Sequence, residues 1–154
     1  MQLVALAGDL GPKWFHLALR ALVLIAQSRD MLTSTQIAER LGSESTFLRK
    51  ILVRLSKSNI VISYPGRYGG YTLGKPVNEI KVLDVYQALV NTTPTPYYSV
   101  PSTGSEYFIS LIVTKGEKAF QSVLEDFTIE ELLMKQIVHR QTTGLRVCPV
   151  GSFS

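Results

Sequence analysis

The sequence predicts a mostly helical chain carrying one small β-hairpin, an α+β architecture dominated by helices. Three observations predict it. Apolar residues recur at spacings of three and four along most of the chain, which marks one face of an amphipathic helix. That spacing gives way to alternation between Ile60 and Leu73, where two short apolar runs flank Pro65-Gly66-Arg67-Tyr68-Gly69-Gly70. Hydrophobic residues make up 45% of the 154 residues, enough for a core and too many for a disordered chain.

The elements follow in order. Residues 1–12 are apolar but broken by Gly8, Asp9, Gly11 and Pro12, and they predict a loosely held arm or a short extra helix. From Lys13 to Ser28, the residues Trp14, Leu17, Ala18, Ala21, Leu22 and Ile25 form the apolar face of a helix. Thr33 with Gln36 has capping-box spacing and opens the next helix. Its inner residues are Ile37, Ala38 and Leu41, and Gly42 stops it by supplying the turn. A third helix runs from about Ser45 to Ser58, with Leu48, Ile51, Leu52 and Leu55 as its buried stripe and Arg49, Lys50, Arg54 and Lys57 largely opposite. Ile60 and Ile62 then alternate with Val61 and Ser63, which suits a strand, and Tyr71 and Leu73 continue the returning strand. Two strands this short need the helices beneath them, because an isolated hairpin is marginal in water.

After Pro76 a helix is predicted from about Lys81 to Val90, with Val82, Val85, Tyr86 and Leu89 inward. Residues 91–104 are rich in Pro, Thr and Ser and predict a loop. The apolar pattern returns from about Ser105 to Asp126 and predicts a long helix, although Tyr107 to Val113 taken alone also suits a strand. Thr128 with Glu131 has capping-box spacing and opens a last helix through about Val138. The resulting organisation is a winged helix-turn-helix unit over 1–90, a loop over 91–104, a helical dimerisation region over 105–141 and a tail over 142–154.

Charge is unevenly spread along this frame. Residues 1–90 carry eleven lysines and arginines against six acids, a surplus of five, whereas the remainder carries five against six. The positive excess therefore coincides with the helix-turn-helix-hairpin unit, where neutralising phosphates requires it. An α-helix fits the major groove of B-DNA. Ser45, Thr46, Phe47, Arg49 and Lys50 lie in the first turns of the third helix, where a recognition helix meets base edges. Arg49 has the fork that pairs bidentately with guanine. Lys50, Arg54 and Lys57 suit phosphates, which set orientation. Arg67, Tyr68 and Gly69 form a slim tip that approaches a groove closely, and a narrow minor groove attracts arginine. Thr33, at the start of the preceding helix, completes the candidate DNA-binding set. A cationic helix face is equally what a solvated surface shows, and a hairpin turn needs glycine for its backbone alone.

The segments IAERLG, FLRKILVRL, GRYGGYTL and EIKVLDVYQAL resemble the Rrf-two family of winged-helix regulators, the IscR/NsrR/CymR type. The match is continuous over about residues 13–90, and the glycine-rich wing followed by the I-x-V-x-D-V-x-x-A-L helix is its most specific part. The resemblance implies a homodimeric, sequence-specific transcription regulator, mostly of the repressor kind, that binds a near-palindromic operator in double-stranded DNA. It also implies dimerisation through a long C-terminal helix. Here the 105–126 segment takes that place, with Phe108, Leu111, Ile112, Ala119, Phe120 and Val123 as the candidate dimer residues. Two departures stand out. Iron–sulfur members hold their cluster with three cysteines in the loop before the dimer helix, and residues 91–104 contain none. A cluster ligated in the family manner is excluded, and no cofactor is expected. Lys81 stands where the family usually has a small hydroxyl residue capping the helix.

The remaining chemistry-bearing residues form no catalytic pattern. Cys148 is the single cysteine, so no internal disulfide framework exists. Arg146 nearby favours a thiolate, but a thiol in a tail is usually inert. His16 and His139 have no metal-ligand spacing around them. Trp14, Phe47 and Tyr86 read as core aromatics, with the DNA-facing edge as the alternative for Phe47. Tyr97 and Tyr98 either anchor the proline-rich loop or line an effector pocket. No triad, nucleophile elbow, phosphate loop or carboxylate pair is present, so no enzyme is predicted. The apolar run from Leu17 to Ala26 is interrupted by Arg20 and is too short for a membrane span, which predicts a cytoplasmic protein without a membrane partner. Two other readings fit the sequence: a winged helix used only for protein–protein contact, and a small-molecule or thiol sensor whose DNA binding is secondary.

Overall fold

The computed structural model describes residues 13–90 and 104–147, the side chains as far as Val138. The expected arm over 1–12, nearly all of the 91–104 loop with Tyr97 and Tyr98, the His139 side chain and Cys148 lie outside the described residues. The elements are α1 (Lys13–Gln27), α2 (Ser34–Leu41), α3 (Ser45–Lys57), β1 (Val61–Tyr64), β2 (Gly70–Leu73), α4 (Val82–Val90), α5 (Gly104–Glu125) and α6 (Ile129–Val147). The fold is mostly α with one antiparallel hairpin, as predicted.

Helix α1 is the hub. It packs against α2, α3, α4, α6 and β2. Ala18, Ala21 and Leu22 at its centre are fully buried, and the two alanines let neighbouring helices approach closely. The aromatic in this core is Phe15, 5% exposed, while Trp14 is only partly buried. Phe15 shares its helix line with Ala18, Leu22 and Ile25 at spacings of three and four, and Trp14 falls one step to the side. The Phe15 ring meets Tyr86 edge-on at 5.5 Å, and Tyr86 meets Phe120 edge-on at 5.3 Å, so an aromatic relay ties α1, α4 and α5.

The turns between the helices follow from their caps. Thr33 Oγ1 accepts the Gln36 backbone N–H at 3.2 Å, and Gln36 Oε1 accepts the Thr33 N–H at 3.0 Å, the reciprocal capping box. Gly42 ends α2 at φ +64°, and the N–H groups of Gly42 and Ser43 donate back to Glu39 and Ala38. Asn59 plays the same part after α3 at φ +57°, while Asn59 and Ile60 donate to the Ser56 and Leu55 carbonyls. This cap corrects the expected strand pattern. Ile60 belongs to the helix end and is buried together with Val61, so the strand begins at Val61 and Ile62 is turned outward, 41% exposed.

The hairpin pairs Val61 with Leu73, Ile62 with Thr72, Ser63 with Tyr71 and Tyr64 with Gly70. Leu32, just before the α2 cap, adds a further bridge to Tyr71 through hydrogen bonds of 2.8 and 3.4 Å. The wing is thereby docked on the α1–α2 connection, which supplies the support that an isolated hairpin lacks.

The C-terminal helices attach through backbone bonds. Val82 N–H donates to Phe127 and Ile129 N–H donates to Ile80, both at 2.9 Å, around the buried Ile80 and Ile129. Asp84 Oδ2 accepts the Lys81 backbone N–H at 3.0 Å, the reciprocal half of a capping box, whose other half a hydroxyl at position 81 would supply. The Lys81 ammonium pairs with Glu125 at 3.3 Å, an exposed pair that contributes little. Helix α5 then stands away from the core, and Leu124 is its one buried residue. Tyr107 to Val113 is helical, which settles the strand alternative. Helix α6 runs back along α1, and Gln27 Nε2 donates to Gln136 Oε1 at 3.1 Å. It continues to Val147, past the predicted end at Val138 and into the predicted tail. A single Gly144 costs only about 1 kcal/mol, too little to stop a helix.

Candidate nucleic-acid interface

At 100° per residue, Leu48, Ile51, Leu52 and Leu55 place one side of α3 in the core. The opposite side must then carry Thr46, Lys50, Val53 and Lys57, at i, i+4, i+7 and i+11, and all four are exposed. Arg49 lies exposed on one flank of this stripe, Phe47 and Arg54 on the other. Ser45, at the first position of α3, is partly buried. Phe47 is 40% exposed and stands at the edge of the face, so it is not a core aromatic.

The cations on this face differ in their freedom. Arg54 Nη1 donates to the Leu89 carbonyl at 3.1 Å, at the C-terminal end of α4. Cations are favoured there because the last carbonyls of a helix carry partial negative charge. Arg49, Lys50 and Lys57 make no ion pair or side-chain hydrogen bond among the described residues, where the one ion pair is Lys81–Glu125. The Thr33 hydroxyl, in contrast, is engaged in its cap.

The wing tip presents Arg67 and Tyr68 to solvent, Tyr68 at 88% exposure. Its narrowness depends on Gly69. A β-carbon there would strike the Tyr64 backbone carbonyl, and the Gly69 N–H closes the tip by donating to Gly66 at 3.1 Å. The exposed face of α3 and the wing thus lie on the same unit, joined by the Asn59 turn.

Spacing along the chain did not single out two features of these surfaces. Val53, 45% exposed, lies in the middle of the cationic stripe; its signal was an apolar residue off the leucine line. Along α5, Phe108, Ile112, Ala119 and Val123 share one exposed line, with Phe120 beside it and Leu111 at its edge. Ile109 and Val113 widen this apolar face on the flank that carries Phe120. Among the described residues no helix is long and apolar enough to cross a membrane, and no three His, Cys, Asp or Glu side chains gather as a metal site.

Comparisons with known proteins agree with this geometry. The family described as "Rrf2: Iron-dependent Transcriptional regulator" matches residues 13–135. YwgB of Bacillus subtilis, by its name a candidate HTH-type transcriptional regulator, is 41% identical over 117 residues, covering 75% of this chain. The chain spans 64% of the length of that relative. The HTH-type transcriptional regulator NsrR of Oceanobacillus iheyensis is 28% identical over 133 residues, 80% of this chain and 89% of that protein. Among solved structures, T. potens IscR shares the fold with a TM-score of 0.64 at 23% identity, over 82% of this chain and 87% of that one. The oxidized form of Staphylococcus aureus CymR does so with a TM-score of 0.58 at 21% identity, over 79% and 94%. The family match covers most of the chain, includes both the α3 face and the wing, and agrees with the fold; the chain belongs to the Rrf2 family of transcriptional regulators.

Proposed function

We propose that this regulator is a sequence-specific repressor that binds a near-palindromic operator in duplex DNA as a homodimer. The observation that carries the reading is the exposed face of α3, whose Arg49, Lys50 and Lys57 have no acidic partner among the described residues. In this reading Arg49 takes the edge of a guanine, Ser45 and Thr46 take neighbouring base or sugar atoms, and Val53 meets a thymine methyl. Lys50 and Lys57 take phosphates. Phe47 packs at the edge of the groove. Arg67, with Tyr68 and Gly69 shaping the tip, reaches into the adjacent minor groove. Thr33 and Arg54 act through the fold, by holding the first turn of α2 and by fixing α3 to α4. The apolar line of α5 lacks cover among the described residues, and a second copy supplies the same line in return. Two α3 helices then enter successive major grooves about one helical turn apart.

No iron–sulfur chemistry is assigned. The chain's one cysteine, Cys148, does not supply the three thiolates that such a cluster takes from the loop before α5. Catalysis and membrane attachment have no role in the proposal, and the cytoplasm is its setting.

The test is fluorescence anisotropy on bound fragments selected from genomic DNA, across a salt series. Affinity should fall steeply with salt and should depend on sequence. Arg49→Ala should cost about 1–3 kcal/mol at one base pair and relax choice there. Lys57→Ala should weaken all sequences alike and reduce the salt slope by about 1. Salt-independent binding, or equal affinity for every sequence, would sink the proposal.

A further inference from the structure

A hollow of about 370 Å³ lies between α1, α2 and α6. That is the lower end of the size range for small-molecule sites. Its apolar wall comes from Leu19, Val23 and Leu24 of α1, Leu41 of α2 and Leu132 of α6. The polar groups are His16, Arg20, Gln27, Arg40 and Gln136, and no acid among the described residues lines it. Arg20 and Arg40 make no ion pair among the described residues. An apolar wall with two unpaired guanidiniums selects an anion with a greasy body, because a guanidinium grips a carboxylate through two parallel hydrogen bonds.

The hollow also sits where an occupant would be felt. The Gln27–Gln136 hydrogen bond crosses it between residues 109 positions apart, so it exists only while α6 lies on α1. His16, Arg20 and Leu41 are shared with a second hollow of about 520 Å³ that extends past Gly42 and Ser43 to Phe47, at the start of α3. The hydroxyl of Ser43 is buried on that side without a hydrogen-bond partner among the described residues. A molecule held by Arg20 and Arg40 therefore touches the first helix of the helix-turn-helix and the helix that follows α5.

We propose that this hollow is an effector site for a small aliphatic carboxylate, and that its occupancy alters the affinity of the α3 face for DNA. The site itself stands apart from the DNA-binding reading; the coupling rests on it. Ligand binding and DNA binding to one protein change each other's affinity by the same factor.

Calorimetry on the intact chain, with straight-chain carboxylates from butanoate to octanoate and the matching primary alcohols, tests the site without DNA. Carboxylates should bind in one-to-one ratio to each chain, with affinity rising along the series, and alcohols more weakly. Arg20→Gln and Arg40→Gln lie on the surface and should keep the wild-type circular dichroism. Each should weaken octanoate roughly tenfold or more, the loss of a charge-assisted hydrogen bond. Alcohols binding as tightly as carboxylates, or affinity unchanged in both variants, would overturn the site and leave an apolar groove. Anisotropy with operator DNA then reads the coupling. An octanoate-dependent shift in affinity, lost in Arg40→Gln, supports it, and no shift despite calorimetric binding overturns the regulatory half.

Discussion

Replacing Ile112 by aspartate should break the homodimer. Ile112 is 69% exposed in the single chain, at the middle of the α5 line. Full burial of an isoleucine side chain is worth about 1.5–3 kcal/mol. Covering the exposed two-thirds of Ile112 is then worth roughly 1–2 kcal/mol per copy, or about 2–4 kcal/mol for the two copies in a symmetric interface. A carboxylate in its place also loses its water, which adds a few kcal/mol more. A combined loss of about 4 kcal/mol or more raises the dimer dissociation constant roughly a thousandfold. Sedimentation velocity over a concentration series measures this directly. Ile112 makes no contribution to the single-chain core, so the circular dichroism spectrum should not change. Thr114→Ala, exposed on the opposite side of the same helix, serves as the control and should remain dimeric. An unchanged dissociation constant for Ile112→Asp, or a monomeric wild-type chain at tens of micromolar, would refute the assignment of α5 as the dimer surface.

Substitutions at three further positions separate the roles of individual residues. Gly69→Ala forces the wing tip away from the Tyr64 carbonyl at a cost of about 1–3 kcal/mol; anisotropy should show weaker DNA binding while the thermal transition of the helical core persists. Arg54→Gln should lower stability by about 1 kcal/mol in urea titration through loss of its bond to Leu89, with a smaller change in salt slope than Lys57→Ala. Equal slopes for the two variants would return Arg54 to the phosphate contacts. Thr33→Ala should destabilise by about 0.5–2 kcal/mol through loss of the α2 cap, and Thr33→Ser should restore most of it in the same titration.

Periodicity and caps are legible in the sequence where they act locally. The α2 box at Thr33 and Gln36, the glycine turn at Gly42 and the leucine line of α3 depend on residues within one or two turns of each other, so spacing alone predicts them. The misplaced features depend on distant partners or on where an element ends. Phe15 rather than Trp14 enters the core because Tyr86 waits for it on α4. Ile62 turns outward because the Asn59 cap resets the strand phase by one residue. Helix α6 outruns its predicted end because residues 139–147 hold no proline and a single glycine, a weak stop.

The candidate site divides the same way. Helical spacing by itself puts Thr46, Arg49, Lys50 and Lys57 off the leucine line. It has no means of separating Arg54 from them, because the Leu89 carbonyl that holds Arg54 is 35 residues away in the chain. It also passes over Val53, which only the exposed face as a whole brings into view.

The sequence by itself determined the helical period, the caps, the glycine-rich wing tip and the family pattern, because each is written in residues a few positions apart. Tertiary structure alone decided which cations remain free, which aromatic fills the core, and that α6 returns to α1 to enclose a hollow beside Arg20 and Arg40. Those outcomes depend on contacts between residues tens of positions apart, whose pairing no local spacing records.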